Sequence, residues 1–274
     1  MRDDETKAPE SSSGTNKATL RTLNVLSAYI SRTTPYGVTE LSNDLGMTKN
    51  MAFRALTTLL EHGYTVRDAD GSRYDLGHGV LWLQGAGADE ELDIRAVCAP
   101  FLQRYHEATG ESAFLSVIVG RNHVTIDSVE AHGVRVSHRR RGLLVPLHAS
   151  PASRVLLSFL SDDEIAEYIR VASPLKRFTP TTIARADKLW DEVRKVRRQG
   201  FARGYGDHYA HANYISFPVL DVTGRPHAAI TIGGPPDRLS KKRIEALLPE
   251  LLRITKTLNE QTRLYPSSAT VLFG

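Results

Sequence analysis

Leu41–Tyr64, LSNDLGMTKNMAFRALTTLLEHGY, reads as two short helices joined at a glycine, the second carrying a polar outer face. Thr39 is expected to cap the first helix and Gly46 to end it, with Thr48 capping the second, which runs to about His62. At about 100° per residue, Ala52, Ala55, Leu56, Leu59 and Leu60 share one arc of that helix. Asn50, Arg54, Thr57 and Glu61 fall opposite, flanked by Lys49 and Met51. One face is built to pack. The other offers an amide, a guanidinium and an ammonium, the groups that read adenine, guanine and phosphate in the major groove of DNA.

Upstream, Leu20, Leu23, Val25, Leu26, Tyr29 and Ile30 recur at helical spacing until SRTTPYG stops the run. Downstream, YTVRDADGSRYDLG places two short extended segments around Asp70-Gly71, a strong hairpin signal. Three helices followed by a hairpin make a winged helix-turn-helix. The bland alternative, a solvated amphipathic surface with no ligand, does not account for the glycine-turned helix pair and the wing together.

Residues 1–16 are charged, serine-rich and poor in large apolar side chains, so they are expected to form a disordered tail before a DNA-binding domain at 17–78. HGVLWLQGAGADEELDI loses apolar periodicity near GAGADEE and predicts a linker helix at 79–93. An α+β domain is expected at 94–266, with a tail at 267–274. In it DIRAVCAPFLQRYHEATG is an amphipathic helix; SAFLSVIVG, NHVTIDSVE and VRVSHRRRG are extended; helices follow near 150–160, 162–171 and 184–199. YISFPVLDV and PHAAITIGG flank TGR as a hairpin, and a long helix containing Pro249 closes the fold.

Composition is that of a soluble globular chain: 274 residues, 41% hydrophobic, 24% charged. The formal net charge of +4 is small, so basic function must come from local clustering. A single cysteine, Cys98, excludes an internal disulfide framework and reads as a buried, inert thiol, which suits a reducing cytoplasm. No apolar run reaches the ~18 residues that span a bilayer, and the first residues lack a signal-peptide core.

From NKATLRTLNVL through the helix pair and wing, then RAVCAPFLQRYHEATGESAFLSVIVG, VPLHASPASRVLLSFL, LKRFTPTTI, VRRQGFARGYGDHYAHANYISFPVLDVTGR and AAITIGGPPDRLS, the chain resembles the IclR-type transcriptional regulators. The resemblance spans residues 16–264 and implies an N-terminal winged helix-turn-helix domain, a linker helix and a GAF-like α/β effector-binding domain. It further implies a double-stranded DNA operator, a small-molecule effector, no cofactor and a homodimer or homotetramer.

Carried over motif by motif, it places Asn50, Met51, Phe53 and Arg54 among the base-reading positions and Thr48, Lys49 and the wing residue Arg73 on phosphates. Met51 and Phe53 stand where polar residues are commoner; contact with thymine methyls and, for Phe53, core packing are both open. The resemblance implies effector contacts from Val134, Pro151, Ala152, Gly204, Tyr205, Tyr214, Thr231 and Gly233. Pro151 removes a possible N–H donor at a helix start, and tyrosines replace small polar groups, so a ring-bearing ligand is expected rather than a small oxo acid.

His208 and His211, beside Asp207, could suggest metal ligation, and a metal-dependent α+β enzyme with an appended helical module is the alternative function. No cysteine or second histidine pair accompanies them. HRRRG at His138–Arg141 could bind an anion but also suits a solvated strand end. Nothing resembles the G-x-S-x-G nucleophile elbow of an acyl-transfer enzyme.

Overall fold

The computed structural model describes residues 16–29, 34–80, 94–131 and 144–263. The chain forms two compact units, Met1–Ala88 and Asp89–Gly274.

In the first unit, α1 (Lys17–Ala28) is capped by Asn16, whose side chain accepts from the Ala18 and Thr19 N–H groups. After β1 (Tyr36–Gly37) come α2 (Val38–Asp44) and α3 (Lys49–Glu61), then β2 (Thr65–Arg67) and β3 (Arg73–Leu76), paired in the order β1-β3-β2. Thr39 is not the cap of α2: the helix opens two residues earlier, with Gly37 in the cap position and no side-chain cap bond. Thr48 does cap α3, accepting from the Met51 N–H at 3.3 Å. Val25, Leu41, Ala52, Leu56, Leu59 and Tyr74 form the core. Tyr29 bolts α1 to the wing by donating its hydroxyl to the Tyr74 carbonyl at 2.9 Å. The expected wing turn is present: Gly71 takes φ +69°, and the Asp68 carboxylate accepts from the Ser72 and Arg73 N–H groups. Backbone is helical at 79 and 80, where the expected linker helix begins; its remainder, 81–93, lies outside the described residues.

The second unit is a six-stranded antiparallel sheet in the order β6-β5-β4-β9-β8-β7. Its strands are β4 (Ser112–Val119), β5 (Asn122–Val129), β6 (Val145–Pro146), β7 (Ala202–Tyr205), β8 (Asn213–Leu220) and β9 (Pro226–Gly234). Because successive strand residues face opposite sides, Leu115, Ile215, Phe217, Ile230 and Ile232 point to one face. There α4 (Ile94–Thr109) and α8 (Lys241–Thr262) cover them with Phe101, Leu102, Leu251, Ile254 and Leu258. Cys98 is buried in this core, and burial pushes its thiol up to about 12, as an inert thiol requires. α8 is continuous through Pro249.

Toward the other face lie α5 (Pro151–Ser158), α6 (Asp162–Ala172) and α7 (Ala186–Gln199). Every residue of α5 is buried, because it sits between the sheet and the outer helices. α6 starts on a capping box between Ser161 and Glu164, and α7 ends on Gly200 at φ +78°. Among the described residues no helix is long and apolar enough to cross a membrane.

Candidate DNA-contact face and effector cavity

α3 buries Ala52, Ala55, Leu56 and Leu59 and leaves Lys49, Asn50, Met51, Phe53 and Arg54 exposed. Phe53 is 45% exposed and Met51 38%, so Phe53 is no part of the core. Two apolar side chains thus stand exposed beside Lys49, Asn50 and Arg54 on α3. Thr57, expected on the free face, is half-buried. Arg54 and Met51 share a groove with Arg21 and Thr58, α1 forming its other wall. Lys17, Arg21, Lys49 and Arg54 make no ion pair among the described residues. The expected basic clustering is therefore local, and α1 contributes half of it. Sequence reasoning does not reach Arg21, whose place is set by the packing of α1 on α3 rather than by the helix pair itself.

Arg73, expected on a phosphate, is exposed and also has a structural role. Its Nη1 donates to the Pro35 carbonyl at 2.8 Å and pairs with Glu40 at 3.4 Å, so the guanidinium ties β3 to the start of α2. Arg67 is likewise held, donating to the Tyr74 hydroxyl at 2.9 Å and lying over its ring. Neither wing arginine is a cation without an intramolecular role.

In the second unit a cavity of about 70 Å³ opens between the sheet and the start of α5. Phe114 and Ser116 of β4, His123 and Thr125 of β5, Tyr214 of β8 and Thr231 of β9 line it from the sheet. Ser150, Pro151 and Ala152 line it from α5, and His208 and Tyr209 from the segment joining β7 to β8. The expected residues Pro151, Ala152, Tyr214 and Thr231 are thus brought together. Gly233 lies behind them: it pairs with Tyr214, and a Cβ there would overlap the Tyr214 ring. Gly204 faces Pro151, whose Cγ would stand 2.5 Å from an added Cβ.

Tyr205 does not line the cavity. One residue along β7 reverses the face, so its ring packs into the α4–α8 core beside the Arg203–Glu245 pair. Val134 and His138–Arg141 lie outside the described residues. His123, His208, Tyr209, Phe114, Ser116 and Thr125 escape sequence reasoning. The alternation of β4 and β5, once set in register, would have grouped the strand residues among them.

Most of the polar groups in the cavity walls pair among themselves. His123 is buried and hydrogen-bonded to the Ser153 hydroxyl at 2.8 Å; Ser153 in turn meets the Ser150 hydroxyl at 3.0 Å. Burial, and then the neighbouring His208, hold His123 down to about 3. Burial likewise lowers His208 to about 4, assisted by His148 and Lys176. Ser116 faces Thr125 at 3.2 Å and Ser216 faces Thr231 at 2.8 Å. Beneath the α5 entrance the buried Arg154 pairs with Asp207 at 2.7 Å and Glu192 at 3.5 Å and donates to the Arg203 carbonyl at 2.7 Å. Asp207 is further fixed where its carbonyl accepts from Thr179 and Thr182. His208 packs on Phe178 and Tyr209, and among the described residues no group of three metal-ligating side chains converges.

Two family models match the chain: the IclR helix-turn-helix domain at residues 18–69 and the bacterial transcriptional regulator IclR C-terminal domain at 87–259. The HTH-type transcriptional repressor AllR of Salmonella typhi is 29% identical over 206 residues, covering 75% of each chain. The HTH-type transcriptional regulator XynR of Escherichia coli is 26% identical over 212 residues, covering 77% of this chain and 83% of its own. These relatives are transcriptional regulators, not enzymes. Two solved structures share the fold. The Thermotoga maritima IclR superposes with a TM-score of 0.65 at 24% identity, over 89% of this chain and 98% of that one. An IclR homologue of Microbacterium hydrocarbonoxydans, complexed with 4-hydroxybenzoate, superposes with a TM-score of 0.70 at 20% identity, over 89% and 100%. The chain belongs to the IclR family of bacterial transcriptional regulators, with an N-terminal helix-turn-helix DNA-binding domain and a C-terminal effector domain.

Proposed function

We propose that α3 enters the major groove of an operator, where Asn50, Met51, Phe53 and Arg54 meet base edges while Thr48 and Lys49, joined by Arg21 of α1, hold phosphates. The observation that carries this is the exposure of Phe53 and Met51 beside Arg54 on a helix whose other face is packed. Bidentate pairing of arginine with guanine and apolar contact with thymine methyls use those two kinds of side chain. The protein acts in the cytoplasm as a homodimer or homotetramer, and paired copies of α3 require operator half-sites about one helical turn apart.

The cavity beside Pro151 and Tyr214 takes a small ring-bearing metabolite. Its walls are aromatic with a few hydroxyls, the composition expected of a site for such a ligand. The homologue that carries 4-hydroxybenzoate supports a ring-shaped effector for this architecture. At about 70 Å³ the space is smaller than the roughly 150 Å³ that holds benzene in a protein interior. His208 and Tyr209, half-buried in the segment joining β7 to β8, form the wall that lies outside both the sheet and α5.

Sequencing DNA fragments retained by the protein identifies the operator, and footprinting it with Arg54→Ala tests the face. Loss of one good bidentate contact is worth about 1–3 kcal/mol; an unchanged footprint and affinity with a folded variant would sink the assignment. For the cavity, calorimetric titration of small ring compounds and small oxo acids on wild type and Tyr214→Ala is the test. Tight binding of an oxo acid indifferent to Tyr214 would overturn it.

A further inference from the structure

The cavity lacks what a carboxylate needs. Among the described residues none of its lining side chains is a lysine or arginine. The buried cation beneath the α5 entrance, Arg154, is already closed by Asp207 and Glu192. A helix start is the usual substitute for a cation, because its first N–H groups have no partner within the helix. Here the first position is Pro151, which has no N–H, and the Ser153 N–H is taken by the Ser150 hydroxyl at 3.2 Å. Ala152 alone is left to donate.

What the cavity does offer is a neutral surface with directional acceptors. Phe114, Tyr209 and Tyr214 supply ring faces; Ser116, Ser150 and Thr125 supply hydroxyls. His208 contributes a buried Nδ1 with no hydrogen-bond partner among the described residues. An unpartnered buried ring nitrogen is costly unless a ligand completes it. In its Nε2–H tautomer the neutral imidazole accepts an O–H at Nδ1, whereas a carboxylate has no hydrogen to give there. Burial opposes the protonation that would let the histidines serve as cations, with His208 adding to it at His123 and with His148 and Lys176 adding to it at His208.

We propose, resting on the reading of this cavity as the effector site, that it selects an uncharged ring bearing a hydroxyl, of the phenol or catechol class, over the corresponding carboxylate. The ligand hydroxyl donates to His208 Nδ1 while its ring lies among Phe114, Tyr209 and Tyr214.

The experiment is calorimetric titration of the full-length protein at pH 7 with matched pairs, p-cresol against 4-methylbenzoate and phenol against benzoate, on wild type, His208→Phe and Thr231→Val. The expected result is that each neutral ligand binds at least tenfold more tightly than its acid partner. His208→Phe should remove most of that margin, with the fold of the variant checked by its unfolding transition. Equal or tighter binding of the acids, weakened by Thr231→Val, overturns the neutral-ligand proposal and leaves the cavity as the effector site. A preference for the neutral ligands that His208→Phe does not diminish overturns the role of His208. Absence of binding by every member of the panel overturns both the proposal and the ring-bearing reading beneath it.

Discussion

Gly233 and Tyr214 are cross-strand partners, and the missing side chain of one is the space occupied by the ring of the other. In sequence they are two separate positions; in the sheet they share one space. Gly233→Ala would force the Tyr214 ring off its position and is expected to destabilise the protein by about 1–3 kcal/mol, the usual cost of overpacking. In the Tyr214→Ala background that cost should largely vanish. Denaturant unfolding of the four proteins of the cycle reads the coupling directly, and additive effects would show that the two positions do not share space. His123 supports a second prediction. Its folded value of about 3 lies below its ordinary 6.5, so between those values the unfolded chain binds the extra proton. Stability is then fully present above pH 6.5 and falls as pH drops toward 3, at up to ~1.4 kcal/mol per pH unit for one proton. The facing groups are the Ser153 hydroxyl of α5 and His208, whose lowered value adds slope of the same sign. His123→Asn should flatten the acid limb of a pH–stability curve, and an unaltered limb would assign the acid sensitivity to other groups.

α3 was legible because every signal for it is local: a threonine cap, five apolar residues on one arc and a histidine-glycine stop within 16 residues. Thr48→Ala should cost about 0.5–2 kcal/mol in unfolding free energy, since the Met51 N–H loses its acceptor. A cost near zero would mean that water caps the helix equally well. Lys49, in the first turn and free of ion pairs among the described residues, is expected to neutralise one phosphate. Lys49→Ala should then weaken binding to all DNA sequences and reduce the slope of log affinity against log salt by about one. Relaxed specificity at a single base pair with an unchanged slope would move Lys49 to the base readers. Contacts between distant segments were not legible. Arg73 looks like a free wing cation until Pro35 and Glu40, far back in the chain, are brought beside it. The same holds for Tyr205: whether it faced the cavity or the α4–α8 core depended on the parity of β7, and a four-residue strand carries too little pattern to fix it. The two-residue strand β1 gives no periodicity at all, and the start of α2 was misplaced because glycine, not threonine, occupies the cap.

Across the whole molecule, the proposed DNA-contact residues lie in Met1–Ala88 and the cavity residues in Asp89–Gly274, with no residue common to both. An effector can alter operator affinity only by binding two arrangements of the protein unequally, and the operator must then alter effector affinity by the same factor. If a saturating ring compound changes the operator dissociation constant by a factor of 5 to 150, the range of about 1–3 kcal/mol of coupling, its own dissociation constant should change by that factor when operator is present. Calorimetric titration of the effector with and without operator DNA, set beside operator binding with and without effector, closes the cycle. Phe53→Ser sharpens the test. Being an exposed side chain, Phe53 should be replaced with little effect on stability or on effector affinity in the absence of DNA, while operator affinity falls. Adding operator to that variant, at concentrations that saturate wild type, should no longer shift effector binding. Unequal factors in the wild-type cycle would mean that a further equilibrium, such as a change in the number of associated chains, is being moved by one ligand and not by the other.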